Sequence, residues 1–153
     1  MLGGDVTVTS SIDVRASPGG AVPDGTQEAL RESGGVGFQE SQRKVPKDTS
    51  ELMLSGQPPR ELPDGSVVWG YTAPHALPVE YGSRPHFPPI EPLLGWARRV
   101  LGNESAAYAV QQKIGKYGTQ PQPYIRPGHE AQKAALRQFG IVPRIKSKVS
   151  GLR

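Results

Sequence analysis

Three histidines, a scatter of carboxylates and a few glycine-rich runs are the residues of this chain whose types could do chemistry. The chain has no cysteine, which removes thiolate nucleophiles, disulfide scaffolding and cysteine-built zinc sites. His75, His86 and His129 are scattered; His75 and His86 could approach each other, but no Asp or Glu stands at metal-ligand spacing beside them. Asp48, Glu51, Asp64 and Glu80 could pair for general acid–base work only where folding brings them together. Asp48 and Asp64 have simpler roles, as a helix cap and a turn residue. Gly34-Gly35-Val36-Gly37 follows no strong strand and lacks the setting of a dinucleotide fingerprint. Gly82-Ser83-Arg84 lacks the G-x-S-x-G nucleophile elbow, and no lysine completes a phosphate loop. The expectation is a protein that is not an enzyme and uses no cofactor and no metal.

Two runs suit binding rather than catalysis. Val79-Glu80-Tyr81-Gly82-Ser83-Arg84-Pro85-His86-Phe87-Pro88-Pro89 is an apolar segment that ends in glycine and passes into a stiff basic and aromatic loop. A preformed proline-rich loop binds at low ordering cost, and Arg, Phe, Tyr and His suit an interface. The second run is Gly118-Thr119-Gln120-Pro121-Gln122-Pro123-Tyr124-Ile125-Arg126-Pro127. The plain alternative for the first is a rigid connector that orients a helix, and for the second a long loop between two helices.

The elements that must position these runs follow from hydrophobic period. Val6, Val8, Ile12 and Val14 alternate with polar residues and predict a strand stopped by Ser17-Pro18-Gly19-Gly20. Asp24 with Gln27 resembles a capping box, opening a helix to about Lys44 with a thin face of Ala29, Leu30, Val36 and Phe38, weakened by Gly34, Gly35 and Gly37. A turn at Val45–Thr49, a loop from Pro58 to Pro63-Asp64-Gly65, a strand from Val67 to Thr72 and a further extended edge piece over Ala76–Tyr81 come next. Ile90, Leu93, Leu94, Ala97 and Leu101 carry the clearest helical period, flanked by Trp96 and Val100. Gly102-Asn103 breaks that helix. Ala107, Val110, Ile114 and Tyr117 then mark another, ended by Gly118. A connector from Thr119 to Pro127 leads to a last helix, with Ala131, Ala135 and Phe139 on its inner face and Gly140 as its stop. Ile141–Arg153 reads as a basic tail or a late strand. The fold class expected is α+β: one domain with a small antiparallel or mixed sheet of 3–4 strands, packed by 3–4 helices, with long Pro/Gly-rich loops.

Composition agrees with that class. The 19 glycines and 16 prolines among 153 residues are roughly twice the usual share and argue against a plain helical bundle. No apolar run approaches the ~18–20 residues of a membrane span, and Met1–Asp5 has neither the basic nor the apolar region of a secretory signal. Net charge is +4 but unevenly placed. Residues 1–97 hold 7 Lys/Arg against 12 Asp/Glu, whereas residues 98–153 hold 11 against Glu104 and Glu130 alone. Such a division suits a phosphate-facing surface, an acidic protein partner, or acidic-to-basic self-assembly.

The order of the motifs carries a resemblance. It runs from Val45-Pro46-Lys47-Asp48-Thr49-Ser50-Glu51-Leu52 through Val79-Glu80-Tyr81-Gly82-Ser83-Arg84-Pro85-His86, Trp96-Ala97-Arg98-Arg99 and Ala107-Tyr108-Ala109-Val110 to Lys113-Ile114. Gly118-Thr119 and Pro123-Tyr124-Ile125-Arg126-Pro127 complete it. Over about residues 24–140 the chain resembles the minor tail-component family of long-tailed bacteriophages and prophages, the neck or tail-completion proteins of the head–tail connector. The family pattern has D-T-G-x-L where this chain has Ser50 in place of the glycine, and its first helix is richer in Ala, Leu and charge. Residues 1–23 lie outside the match, as an N-terminal strand and linker; residues 141–153 form the basic tail.

The resemblance implies a structural virion protein at the head–tail junction, assembled in the host cytoplasm. It would join the DNA-filled capsid to the tail and form part of the channel for DNA. The partners implied are further copies of itself in a ring, a hexamer rather than a dodecamer, and adjacent connector, tail-tube or tail-terminator proteins. Non-specific contact with genomic DNA is also implied, and no membrane. Candidate assembly residues are Glu80, Tyr81, Arg84, His86, Phe87, Tyr124 and Arg126; candidate residues facing the channel or an acidic partner are Arg144, Lys146 and Lys148. The alternative is a basic nucleic-acid-binding protein acting through residues 98–153, with Tyr108, Tyr117 and Tyr124 as stacking aromatics.

Overall fold

A computed structural model of the chain describes residues 7–13, 24–48, 50–139 and 144–150, with residues 7–13, Asp24 and residues 144–150 given as backbone alone. Its fold is α+β, as expected. The strands are β1 (Thr7–Asp13), β2 (Gly56–Glu61), β3 (Val67–Tyr71) and β4 (Arg144–Ser150). They lie in the order β2-β3-β1-β4 with every neighbour antiparallel. The helices are α1 (Asp24–Lys44), α2 (Glu51–Leu54), α3 (Ala76–Tyr81), α4 (Ile90–Leu101), α5 (Ala106–Tyr117) and α6 (Ile125–Gln138). Six helices among the described residues exceed the three or four expected, because α2 and α3 are too short to show a period.

Strand β3 is buried along its whole length, and Trp69 and Tyr71 centre the core with Val45, Leu52, Ala76, Tyr124 and Ile125. Register places Val8 opposite Tyr71 and Ile12 opposite Val67, as the alternation of β1 requires. Val6, Val14, the stop at Ser17–Gly20, the Asp24 side chain of the expected capping box, Thr49 and Gly140 lie outside the described residues.

Helix α1 runs unbroken through Gly34, Gly35 and Gly37, against the expectation that these weaken it. The reason is a close crossing with α6, which packs along α1. A Cβ on Gly37 would lie 2.8 Å from the Gly128 carbonyl oxygen, and one on Gly128 would lie 2.5 Å from the Gly37 oxygen. Only glycine lets the two backbones meet there. Ser33 and Ser41 share this buried face, while Val36, expected inside, is exposed.

Three expected elements are corrected. Ala76–Tyr81 is helix α3, not an extended edge: Ala76 and Glu80 point inward one turn apart, and Pro78 falls in the first turn, where a missing N–H costs little. Pro58–Gly65 is not all loop, since Gly56–Glu61 pairs with β3 as an edge strand. Its irregularity between Gln57 and Arg60 absorbs Pro58 and Pro59. The expected turn does close this hairpin, with Asp64 Oδ1 accepting the Ser66 N–H at 3.0 Å and the Ser66 hydroxyl at 2.6 Å. These bonds hold the Asp64 carboxyl below the ordinary carboxylate value.

Helix α6 begins at Ile125 rather than after Pro127, and its buried face is Ile125, Gly128, His129, Gln132 and Leu136. Phe139, expected inside, is half exposed. Polar residues occupy the inner face because they have work there. Gln132 Oε1 accepts the Trp69 indole N–H at 2.8 Å, and the His129 ring meets Trp69 edge-on at 5.4 Å.

Candidate functional site

The Val79–His86 and Gly118–Pro127 runs, distant in sequence, meet in one place. Glu80, fully buried on α3, turns its carboxylate onto the start of α6. Oε2 accepts the backbone N–H groups of Tyr124 at 2.7 Å and Ile125 at 2.8 Å. Oε1 accepts Arg126 N–H at 3.2 Å and Arg126 Nε at 2.9 Å. A helix start leaves unpaired N–H groups and partial positive charge, and a carboxylate from another element answers both. The Arg126 guanidinium lies over the Tyr81 ring, 5.5 Å from its centroid. Tyr124 is also fully buried, donating its hydroxyl to the Ala76 carbonyl at 3.0 Å and packing edge-on to Tyr71 at 4.9 Å. Burial, reinforced by the nearby Glu80 charge, raises the Tyr124 hydroxyl pKa. Burial pushes that of Tyr71 up to about 12, against the opposing bond with Ser41.

Glu80 and Tyr124 therefore present no surface, which corrects their place among the assembly residues. Arg126 is half exposed but already engaged by Glu80. Tyr81, Arg84, His86 and Phe87 are exposed.

Beside this cap is a clasp. Ser83 and Thr119 form an antiparallel bridge, with Ser83 N–H donating to Thr119 O at 3.3 Å and Thr119 N–H to Ser83 O at 3.2 Å. Thr119 Oγ1 accepts the Ser83 N–H at 2.9 Å and donates to Ser83 Oγ at 3.0 Å. Each of these residues follows a glycine at positive φ, Gly82 at 75° and Gly118 at 74°. A Cβ on Gly82 would come 2.5 Å from Thr119 O, and one on Gly118 would overlap Ser83 O. Both motif glycines are thus required twice, by dihedral and by space.

Between the two halves of the clasp hangs an arm made of the loop 84–89, α4 and α5. The helices pack chiefly on each other, with Ala97 and Ala107 fully buried at their contact. Asn103 turns the chain ahead of α5 without capping it: Ser105 is the N-cap residue, and Asn103 Oδ1 accepts the Ser105 N–H at 3.1 Å. The loop lies along α5. His86 N–H reaches the Ile114 carbonyl at 3.4 Å, Gln111 Nε2 donates to Pro88 O at 2.8 Å, and the Phe87 ring covers Gly115. The Arg84 carbonyl bonds His86 Nδ1 at 2.9 Å. Phe87 remains 65% exposed, Tyr117 63% and Tyr108 57%, and Val100 and Leu101 at the tip are half exposed. Tyr117, read from its spacing as a core residue, is therefore on the surface, with Lys116 over its ring.

Among the described residues, one ion pair ties the arm to the body. Arg99 donates through Nε to Asp48 Oδ1 at 3.1 Å and through Nη2 to Asp48 Oδ2 at 2.9 Å. The bond to Asp48 raises the Arg99 pKa. Asp48 is thus no helix cap; Ser50 precedes α2 and makes no side-chain cap bond. Ser50 is the one non-glycine residue at positive φ among those described, at 62°. Between α4 and the body runs an open groove of about 580 Å³, bounded by Asp48, Glu51, His75, Glu91, Leu93, Trp96 and Arg99. Sequence reasoning missed this groove. Its signal was available: α4 is apolar on a second side, Leu93, Trp96 and Val100, beyond what one neighbouring helix can cover.

Among the residues 98–139, Arg98 pairs with Glu104, Arg99 with Asp48, Arg126 with Glu80 and Lys133 with Glu130. Arg144, Lys146 and Lys148 occupy alternate positions of β4, opposite Asp13, Ser11 and Thr9 of β1. The described residues bring no three of His, Asp and Glu into a metal-binding group, and none of the described helices is long and apolar enough to cross a membrane. Comparison with protein-family models, curated proteins and solved structures gave no match to this chain.

Proposed function

We propose that this chain is a structural subunit of a phage head–tail connector, a neck or tail-completion protein that works as one copy of a ring. The observation that carries the reading is the meeting of the two motif runs. The residues on which the resemblance rests, Glu80-Tyr81-Gly82-Ser83 and Gly118-Thr119 with Tyr124-Ile125-Arg126, build one cap and one clasp that hold the arm. A chance likeness has no reason to gather distant residues into a single structural unit. Ser50 supports it too. Where the family pattern has glycine, this chain holds a serine in the left-handed conformation that glycine favours. An arm with several exposed aromatic and aliphatic residues suits a subunit whose neighbours supply the missing cover.

Direct quantitation in purified tailed particles tests this reading. Six copies per particle at the head–tail junction is the expected result, and absence from the particle refutes it. Within the particle, Arg84→Glu combined with Phe87→Ala is expected to block head–tail joining. Intact joining would remove the loop from the contact. The nucleic-acid reading is less well supported, because four cations of residues 98–139 are already committed to carboxylates. It requires salt-dependent DNA or RNA affinity in the isolated chain.

A further inference from the structure

Two surfaces of the arm are left uncovered by the described residues, and they are opposite in character. The groove beside α4 has an apolar floor, Leu93 and Trp96, and an acidic rim. Asp48 on that rim is neutralised by Arg99, while Glu51 and Glu91 have no ion-pair partner among the described residues. The flank of α5 is aromatic and basic. Phe87 lies over Gly115 there, and Tyr108 follows two turns along the same side of the helix. Lys116 adjoins Gly115 and Arg84 lies beside Gly118, both at the Phe87 end of this flank, and neither is joined to a carboxylate among the described residues.

We propose that a second copy of this chain is the occupant of the groove, seating its Phe87–Tyr108 flank on the Trp96 floor of its neighbour. Aromatic side chains and arginine are the residues that anchor interface centres. The groove offers an apolar bed for two rings, and its Glu51 and Glu91 rim faces the Arg84 and Lys116 at the Phe87 end of the flank, which favours this orientation and disfavours the reverse. Groove and flank share no residue, so one copy uses both at once. The contact is therefore head-to-tail, and repetition closes it into a ring or extends it as a filament. The inference rests on the reading of this chain as a ring subunit and names the contact that builds the ring.

The absence of cysteine makes the test clean, since every thiol in it is an introduced one. Chains carrying Glu91→Cys and Lys116→Cys, both at exposed positions, are purified separately, mixed and oxidised. The mixture is expected to give disulfide dimers roughly tenfold above either chain alone, and a chain carrying both substitutions a ladder of multimers. Glu91→Lys and Lys116→Glu are each expected to weaken self-association roughly tenfold in sedimentation, and mixing the two to restore it, since like charges then oppose only in the unmixed samples. Circular dichroism of each variant verifies that the fold is kept. Cross-linking no greater in the mixture, a groove thiol that links only to another protein, charge reversals without effect, or a chain monomeric at every concentration overturns the contact. A multimer that forms without the groove–flank link overturns the contact alone; absence from purified particles overturns the ring-subunit reading itself.

Discussion

Arg126 and Glu80 grip each other twice: Arg126 Nε donates to the Glu80 carboxylate at 2.9 Å, and Arg126 Nη2 donates to the Glu80 carbonyl at 3.2 Å. The same carboxylate receives three backbone N–H groups at the start of α6. The two residues are unequal. The Glu80 side chain is wholly buried, whereas that of Arg126 is 54% exposed. Glu80→Gln keeps the shape but turns one acceptor into a donor facing other donors, and should cost about 2–3 kcal/mol. Arg126→Ala leaves the backbone bonds intact and should cost about 1 kcal/mol. Thermal or urea unfolding of the two variants checks the order; a larger loss for Arg126→Ala would contradict the cap.

Substitution at the clasp should cost more than at an ordinary left-handed helix end. Gly102 ends α4 at φ 65° with open space around its α-carbon, so Gly102→Ala should cost about 1 kcal/mol, the left-handed penalty alone. Gly118 pairs its positive φ with ψ −162°, a region essentially reserved for glycine, and a Cβ there also overlaps the Ser83 carbonyl. Gly118→Ala should cost about 3 kcal/mol or more and expose the arm to limited proteolysis at its root. Equal losses at the two positions would show that the clasp carries no load.

Serine at position 50 holds a left-handed conformation that costs an L-residue roughly 1–2 kcal/mol, against roughly 0.5–1 kcal/mol of extra chain entropy lost by glycine. Ser50→Gly should therefore stabilise the protein by about 0.5–1 kcal/mol. The midpoint of urea unfolding should rise, with the slope unchanged.

Acid should loosen the α6 packing through His129. Burial, the largest influence, lowers its pKa below the ordinary 6.5, with Lys133 acting the same way and Glu80 and Glu130 opposing. Its Nε2 is buried and unpaired among the described residues. As pH falls through 6.5 the unfolded chain takes up a proton that the folded one refuses. Stability is full above about 6.5 and declines toward the depressed folded value, by at most about 1.4 kcal/mol per pH unit. His129→Phe, which keeps a ring against Trp69, should flatten the decline between pH 7 and 5. An unchanged slope would assign the acid sensitivity to other groups.

Local chemistry made several elements legible in the sequence itself. The period of Ile90–Leu101, the turn at Asp64-Gly65, the break at Gly102-Asn103 and the α+β class all follow from forces acting over one or two turns of chain. Tertiary partners decided the rest. Gly37 weakens an isolated helix, yet it is what lets α1 and α6 touch, because Gly128 arrives from 91 residues away in the chain. Ala76–Tyr81 becomes helical because Glu80 must reach the start of α6, and Gln132 is inside because Trp69 needs an acceptor. Sequence and resemblance put Glu80 and Tyr124 among the assembly candidates; burial makes them the support of the neighbouring loop instead. A side chain's type states what it can bond to, and only the fold decides which partner comes within reach.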